Sequence, residues 1–133
     1  MERNGIIGRE SRSEQVSVHV DSSVLSALQD VMEGEYPTLL DVFLEDSEQR
    51  VAQLHAACHS PAPDLQALSL NAHSFKGSCA NMGAFKLSEL CRQLEDQSRL
   101  GKRDELERLI EQIDAEYLTV RRLFIAERRL YNA

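Results

Sequence analysis

LQALSLNAHSFKGSCANM, the stretch from Leu65 to Met82, predicts one long helix with a face buried in a hydrophobic core. Its apolar positions recur at alternating intervals of three and four residues, which places their side chains on one side of an α-helix. These positions are Leu65, Leu68, Ala72, Phe75, Cys79 and Met82. Asp64, an acidic residue suited to a helix N-terminus, precedes the stretch, and Gly83 follows it as a stop signal.

Four more helices are predicted on either side of this stretch, at residues 21–34, 36–59, 87–101 and 104–124. The breaker Ser60-Pro61-Ala62-Pro63 separates the second helix from the third. The apolar positions of the short first helix are Val24, Leu25, Leu28, Val31 and Met32. Because the connections are short, neighbouring helices should run antiparallel. We therefore predict an all-α fold, an antiparallel four-helix bundle with a short additional N-terminal helix.

The length of 133 residues favours a single domain. Residues 1–19 are polar and lack helical periodicity, so we predict a flexible N-terminal tail, with no function for His19, and a helical domain over residues 20–133. The net charge of −7 argues against binding to nucleic acid backbones, which requires clustered Lys and Arg. Basic residues near Arg121 and Arg128 are interspersed with acidic ones and indicate a solvated helix face.

The sequence gives no sign of a membrane or of secretion. No apolar stretch approaches the ~20 residues that a membrane-spanning helix needs, and the N-terminus carries no secretory signal. The three cysteines, Cys58, Cys79 and Cys91, are an odd number and occupy apolar stripes, which is typical of reduced, buried thiols. We expect a cytoplasmic monomer.

His73 is predicted to lie on the solvent side of the third helix. With about 100° of rotation per residue from Leu65, the apolar stripe spans about 260° to 340° and His73 falls at about 80°. Ser69, Gly77 and Ala80 are its neighbours on that side, and Lys76 follows three residues later. The pattern therefore predicts an accessible imidazole among small residues, beside a positive charge.

Gly77 is unusual because it lies inside a long periodic helix, where glycine costs roughly 1 kcal/mol relative to alanine. Such a residue is commonly explained by the close approach of another backbone or of a ligand. A local packing requirement, or simple tolerance, is the alternative explanation.

The segment from Ala72 to Ala84, AHSFKGSCANMGA, closely resembles the signature of histidine phosphotransfer (HPt) domains, A-H-x-[hydrophobic]-K-G followed after five residues by G. The segment LSELCRQLE at residues 87–95 resembles the next helix of that family. EYPTLLDVF at residues 35–43 is similar to stand-alone bacterial members. The resemblance covers about residues 22–125 and is specific over 72–95.

This resemblance implies a phosphoryl carrier without an ATP site of its own. His73 would take a phosphoryl group from a receiver-domain aspartate of a hybrid sensor kinase and pass it towards a response regulator. Lys76 would neutralise the phosphoryl oxygens, and Gly77 would leave room for the receiver. Glu95, twenty-two residues after His73, would accept a bond from the second ring nitrogen, and Arg99 would support the site. No cofactor is expected, since the Mg²⁺ would belong to the receiver.

The sequence leaves three alternatives to this function. A metal site could use His55, Cys58 and His59, with thiolates added by Cys79 and Cys91, but the spacing lacks the paired ligands of a structural zinc site. A helical module could dock receivers without being phosphorylated, although His73, Lys76 and Gly77 are all present. An enzyme acting on a small molecule would need a phosphate loop or a nucleophile–base pair, and neither is evident.

Overall fold

The structure, a computed structural model, describes residues 19–59 and 61–131. Within these residues, the helices in chain order are α1 (Ser22–Met32), α2 (Tyr36–Cys58), α3 (Leu65–Asn81), α4 (Phe85–Leu100) and α5 (Arg103–Arg129). A short 3₁₀ turn, Glu33–Glu35, joins α1 to α2. The prediction of an all-α bundle with a short additional N-terminal helix is confirmed, as are the helix positions to within a few residues.

Contacts between helices show that neighbours run antiparallel. The start of α2 meets the end of α5, where the Tyr36 hydroxyl donates to Glu127 Oε2 at 2.7 Å. Further along, the hydroxyls of Ser47 and Tyr117 lie 2.9 Å apart. His55, near the end of α2, reaches Asp114. The residue numbers of the α5 partners thus decrease as those of the α2 residues increase, so these two helices run in opposite directions.

Helices α2 to α5 enclose one core. Its largest fully buried side chains include Tyr36, Leu40, Leu54, Leu68, Phe75, Leu87, Leu94, Leu106, Ile110, Ile113, Val120 and Phe124. Helix α1 has no fully buried residue and covers the bundle with its half-buried Leu25, Leu28 and Met32. Two predicted stripe positions are wrong: Val31 is 80% exposed and Leu65 is 38% exposed. Both lie at helix ends, Val31 one residue before the end of α1 and Leu65 at the start of α3.

Residues with specific backbone roles define the helix ends. The carboxylate of Asp21 accepts a bond from the Ser23 N–H at 2.9 Å and caps α1. Gly83, between α3 and α4, has φ +80°, and its carbonyl accepts the Asp21 N–H at 2.9 Å. A Cβ there would lie 3.0 Å from Val24 Cβ, so this turn requires glycine. The same contacts tie α1 to the turn that follows the candidate site.

Most of the predicted tail, residues 1–18, lies outside the described residues, so the division into tail and domain stays a prediction. His19, at the predicted boundary, contacts the bundle, since its Nδ1 lies 2.9 Å from Glu116 Oε2. Val20 is buried. Across residues 19–59 and 61–131, no helix has both the length and the apolar character needed to cross a membrane.

Candidate phosphotransfer site

His73 lies in the middle of α3 with its side chain 64% exposed. Ala72 on one side of it and Phe75 on the other are fully buried, so the backbone is fixed by the core while the ring faces solvent. This is the orientation that the helical wheel predicted. A rigid element with a protruding imidazole is suited to transfer chemistry with another macromolecule.

Glu95 on α4 holds the ring of His73. Its Oε2 lies 3.0 Å from His73 Nδ1, and its side chain is only 7% exposed. A carboxylate only accepts hydrogen bonds, so Nδ1 carries the proton and donates it. In the neutral ring, Nε2 is then the nitrogen with a free lone pair. The predicted contact between Glu95 and His73 is present, and Glu95 is buried.

Two cations also bind Glu95. Lys76 Nζ donates to Oε1 at 2.8 Å, and Arg99 Nη2 donates to Oε2 at 3.0 Å. The hydrogen bond from Lys76 is the main cause that lowers the pKa of Glu95; burial opposes it and the His73 bond adds to it. Glu95 is therefore ionised near neutral pH, and its negative charge lies directly beneath the imidazole.

The structure also refines the prediction for Lys76. The sequence predicted a positive charge beside His73, and the structure shows that the Lys76 ammonium is bound to Glu95, with its side chain 31% exposed. Arg99, by contrast, is 66% exposed and contacts the same carboxylate from the far side along α4. The site is thus a buried anion bound by an imidazole and two cations.

The small residues around His73 leave the outer face of α3 open. A Cβ added to Gly77 would have no heavy atom within 4 Å, so nothing inside the described part of the chain requires glycine there. Ser69 and Ala80 are half-buried, and their supporting role stays a prediction. The absence of an internal packing reason favours the interpretation that Gly77 leaves space for a partner.

The sequence profile of the Hpt domain family matches residues 38–123, a range that contains every residue of this site. The chain belongs to the HPt family. Its fold superposes with a TM-score of 0.81 on histidine-containing phosphotransfer protein B (HptB) from Pseudomonas aeruginosa PAO1. The two sequences are 50% identical, over 86% of this chain and 97% of that one.

A plant protein shares the HPt fold. A histidine-containing phosphotransfer protein from maize superposes with a TM-score of 0.80 at 24% identity, over 91% of this chain and 95% of that one. No curated relative matches the sequence. Proteins of the HPt family are phosphocarriers, and histidine phosphotransfer is therefore the general function of this chain.

Ser88 of this HPt protein also contacts the site, although the sequence did not indicate it. Its hydroxyl, on α4, donates to the backbone carbonyl of Lys76 on α3 at 2.9 Å. Ser88 precedes Glu95 by seven residues, or two helical turns, and so lies on the same side of α4. The seven-residue spacing from Glu95 could have indicated Ser88 as a residue facing α3, but only if the packing of α4 against α3 was already known.

The residues considered for a metal site have other contacts in the HPt bundle. His55 Nε2 lies 2.7 Å from Asp114 Oδ1, and the rings of His55 and His59 stack with centroids 5.2 Å apart. Cys58 is buried as a free thiol. In residues 19–59 and 61–131, no group of three or more His, Cys, Asp or Glu side chains is placed to hold a metal ion.

The buried carboxylate of Glu95 can be tested by measuring how the stability of the protein depends on pH. The pKa of Glu95 is lowered on folding, so its ion pairs stabilise the protein above the unfolded-state value of about 4.3. That contribution is lost as the pH falls through the folded-state pKa. We therefore expect the E95Q variant to melt below wild type at neutral pH, with the difference in Tm narrowing as the pH is lowered below about 4.3.

Thermal melting of both proteins across that pH range measures the effect. E111Q, which changes an exposed glutamate on α5, is the control and should follow the wild-type curve. Parallel curves for wild type and E95Q would contradict the stabilising role of the Glu95 ion pairs.

Proposed function

We propose that this HPt protein relays a phosphoryl group between receiver-domain aspartates of hybrid sensor kinases and response regulators through phospho-His73. The single observation that carries the proposal is the bond of 3.0 Å between His73 Nδ1 and Glu95 Oε2. It leaves Nε2 unprotonated, on a side chain that is 64% exposed. Those are the two requirements for a nucleophile that must reach into another domain.

In the first step, the lone pair of Nε2 attacks the phosphorus of a phosphoaspartate in the donor receiver. The P–N bond forms as the P–O bond to the aspartate breaks, and the released carboxylate keeps the bonding electron pair. The ring gains a positive charge, which the buried Glu95 stabilises through Nδ1–H. In the second step, an aspartate of the acceptor receiver attacks phosphorus, and the P–N electron pair returns to Nε2.

Lys76 supplies positive charge to the transferring group. Its ammonium leaves Glu95 Oε1 for a phosphoryl oxygen, while Arg99 and His73 keep Oε2 occupied. Catalysis of this kind depends mainly on positioning and electrostatics. The receiver contributes the Mg²⁺ and the aspartates, and this chain contributes the imidazole, the cation and the open face of α3.

The test is a relay reconstituted from purified components. A panel of receiver domains is phosphorylated with radiolabelled acetyl phosphate, freed of the donor and mixed with this protein, and an unlabelled receiver is then added. Label should move onto this protein and then onto the second receiver. The intermediate should be acid-labile and base-stable, as a phosphoramidate is. Label that survives acid, or a protein that takes none from any receiver, would refute the proposal.

Lys76→Ala should slow transfer while leaving the fold nearly unchanged. The reason is that Glu95 keeps its bonds to His73 and Arg99 when Lys76 is removed, whereas the charge of Lys76 is needed in the transition state. Single-turnover transfer rates and thermal melting would be measured on the same protein. Lys86→Ala is the matched control, because Lys86 lies 3.6 Å from another buried carboxylate, that of Glu116 on α5. Equal rates for the K76A, K86A and wild-type proteins would contradict the electrostatic role.

A further inference from the structure

Ser88 links the two helices that carry the site. It lies in the first turn of α4, is half-buried, and donates its hydroxyl to the Lys76 carbonyl at 2.9 Å. Glu95 on α4 receives two further hydrogen bonds from α3, one from His73 and one from Lys76. All three converge on the segment from His73 to Lys76.

The bonded carbonyl occupies a sensitive place in α3. Lys76 is followed by Gly77, whose missing side chain leaves the backbone less restrained than at any other residue type. A carbonyl oxygen has two lone pairs, so that of Lys76 can accept Ser88 in addition to its own intrahelical partner. The Ser88 bond therefore fixes α3 at the residue that carries the ammonium, one turn after the imidazole.

We propose that Ser88 is a positioning residue, which sets the offset between α3 and α4 at which Glu95 reaches both His73 and Lys76. Ser88 and Glu95 are separated by about 10.5 Å along α4, so together they attach α3 at two points. Two attachments fix both the sliding and the rotation of one helix against the other. The consequence for phosphoryl transfer rests on the proposed function, since misplacement by about 1 Å can slow a reaction by up to about 100-fold.

The test compares S88A, S88T and wild type, with S98A as the matched control. Ser98 also donates a hydroxyl to a backbone carbonyl, but to that of Leu94 in its own helix at 2.7 Å, so its loss leaves the α3–α4 contact unchanged. ¹⁵N NMR of the His73 ring reports how much of the neutral imidazole carries its proton on Nδ1. Transfer rates are measured against receiver concentration, and thermal melting monitors the fold.

We expect S88A to lose part of the Nδ1–H form and to transfer roughly three- to tenfold more slowly at saturating receiver, with an unchanged half-saturation concentration. S88T, which keeps the hydroxyl, should recover most of both signals, and S98A should match wild type. An S88A protein with wild-type ring spectra and rates would overturn the proposal even if its Tm fell, because Ser88 would then serve stability alone.

Two further outcomes are an S88A protein that does not fold and a wild-type protein that accepts no phosphoryl group. If S88A does not fold, S88C replaces it: its weaker donor should give slower transfer than S88T, and equal rates would overturn the proposal. If wild type accepts no phosphoryl group, the proposed function fails. The ring spectra then decide by themselves whether Ser88 positions His73.

Discussion

The H73Q variant is expected to take up no phosphoryl group from any receiver that labels the wild-type protein. Glutamine has no ring nitrogen to form the P–N bond, while its amide N–H can still donate to Glu95 Oε2, which holds His73 Nδ1 at 3.0 Å in wild type. His73 is 64% exposed, so the change removes no core packing and the variant should melt close to wild type. Radiolabel transfer from phosphorylated receivers, read on gels run without acid, measures the result.

His55 provides a demanding control for this prediction. It also has a carboxylate partner on a neighbouring helix, with Nε2 2.7 Å from Asp114 Oδ1, and its side chain is 36% exposed. It lacks an adjacent lysine and glycine, and the nitrogen it leaves unbonded is Nδ1. H55Q should therefore be labelled like wild type. Label retained by H73Q on His55 or His59 would refute the assignment. If the wild-type protein takes no label and both it and H73Q bind receivers normally, the result would instead support a docking module that is not phosphorylated.

Gly77→Gln is expected to fold and to transfer roughly tenfold more slowly or worse, equivalent to ~1.4 kcal/mol or more of added barrier. Apart from the adjoining residues and the backbone of α3 itself, no heavy atom lies within 4 Å of a Cβ at this position, so a side chain would extend into the space beside His73. Gly77→Ala should be more stable than wild type by up to ~1 kcal/mol, because alanine favours the helix. Its transfer rate should fall between the other two.

Melting curves and transfer rates on the same three proteins separate the explanations for Gly77. A folded G77Q that transfers at the wild-type rate would exclude a need for clearance. An unfolded G77Q would show that Gly77 serves the packing of this chain, in conflict with the open space at its Cβ. The S74Q variant, which enlarges the exposed residue next to His73, tests whether bulk anywhere on this face has the same effect.

Most of the fold could be predicted because helical periodicity and chain breakers are local signals. The stripe over Leu68, Ala72, Phe75 and Cys79 required a buried face, and all four residues are buried. Periodicity identifies an apolar stripe but not which of its members a neighbouring helix covers, and so Val31 and Leu65 were wrongly assigned to the core. That depends on the relative lengths and offsets of packed helices, which no single segment encodes.

The candidate site likewise has features that the sequence predicted and features that it did not. The exposed face of His73 follows from its angle on the helix, and its pairing with Glu95 was implied by the family resemblance. The bond of Lys76 to Glu95 and the bond of Ser88 to the Lys76 carbonyl were not predicted. Both depend on how far α4 is shifted along α3, and no pattern within a single segment of the sequence encodes that distance.

The buried cysteines have a practical consequence. Cys58, Cys79 and Cys91 are all the cysteines of the chain, and each is at most 1% exposed. Burial raises the pKa of the Cys58 and Cys79 thiols, which further suppresses the reactive thiolate. Maleimide reagents should therefore leave the native protein unmodified. A single cysteine introduced at the exposed position of Ser74 would then accept a fluorophore or spin label on its own, directly beside His73.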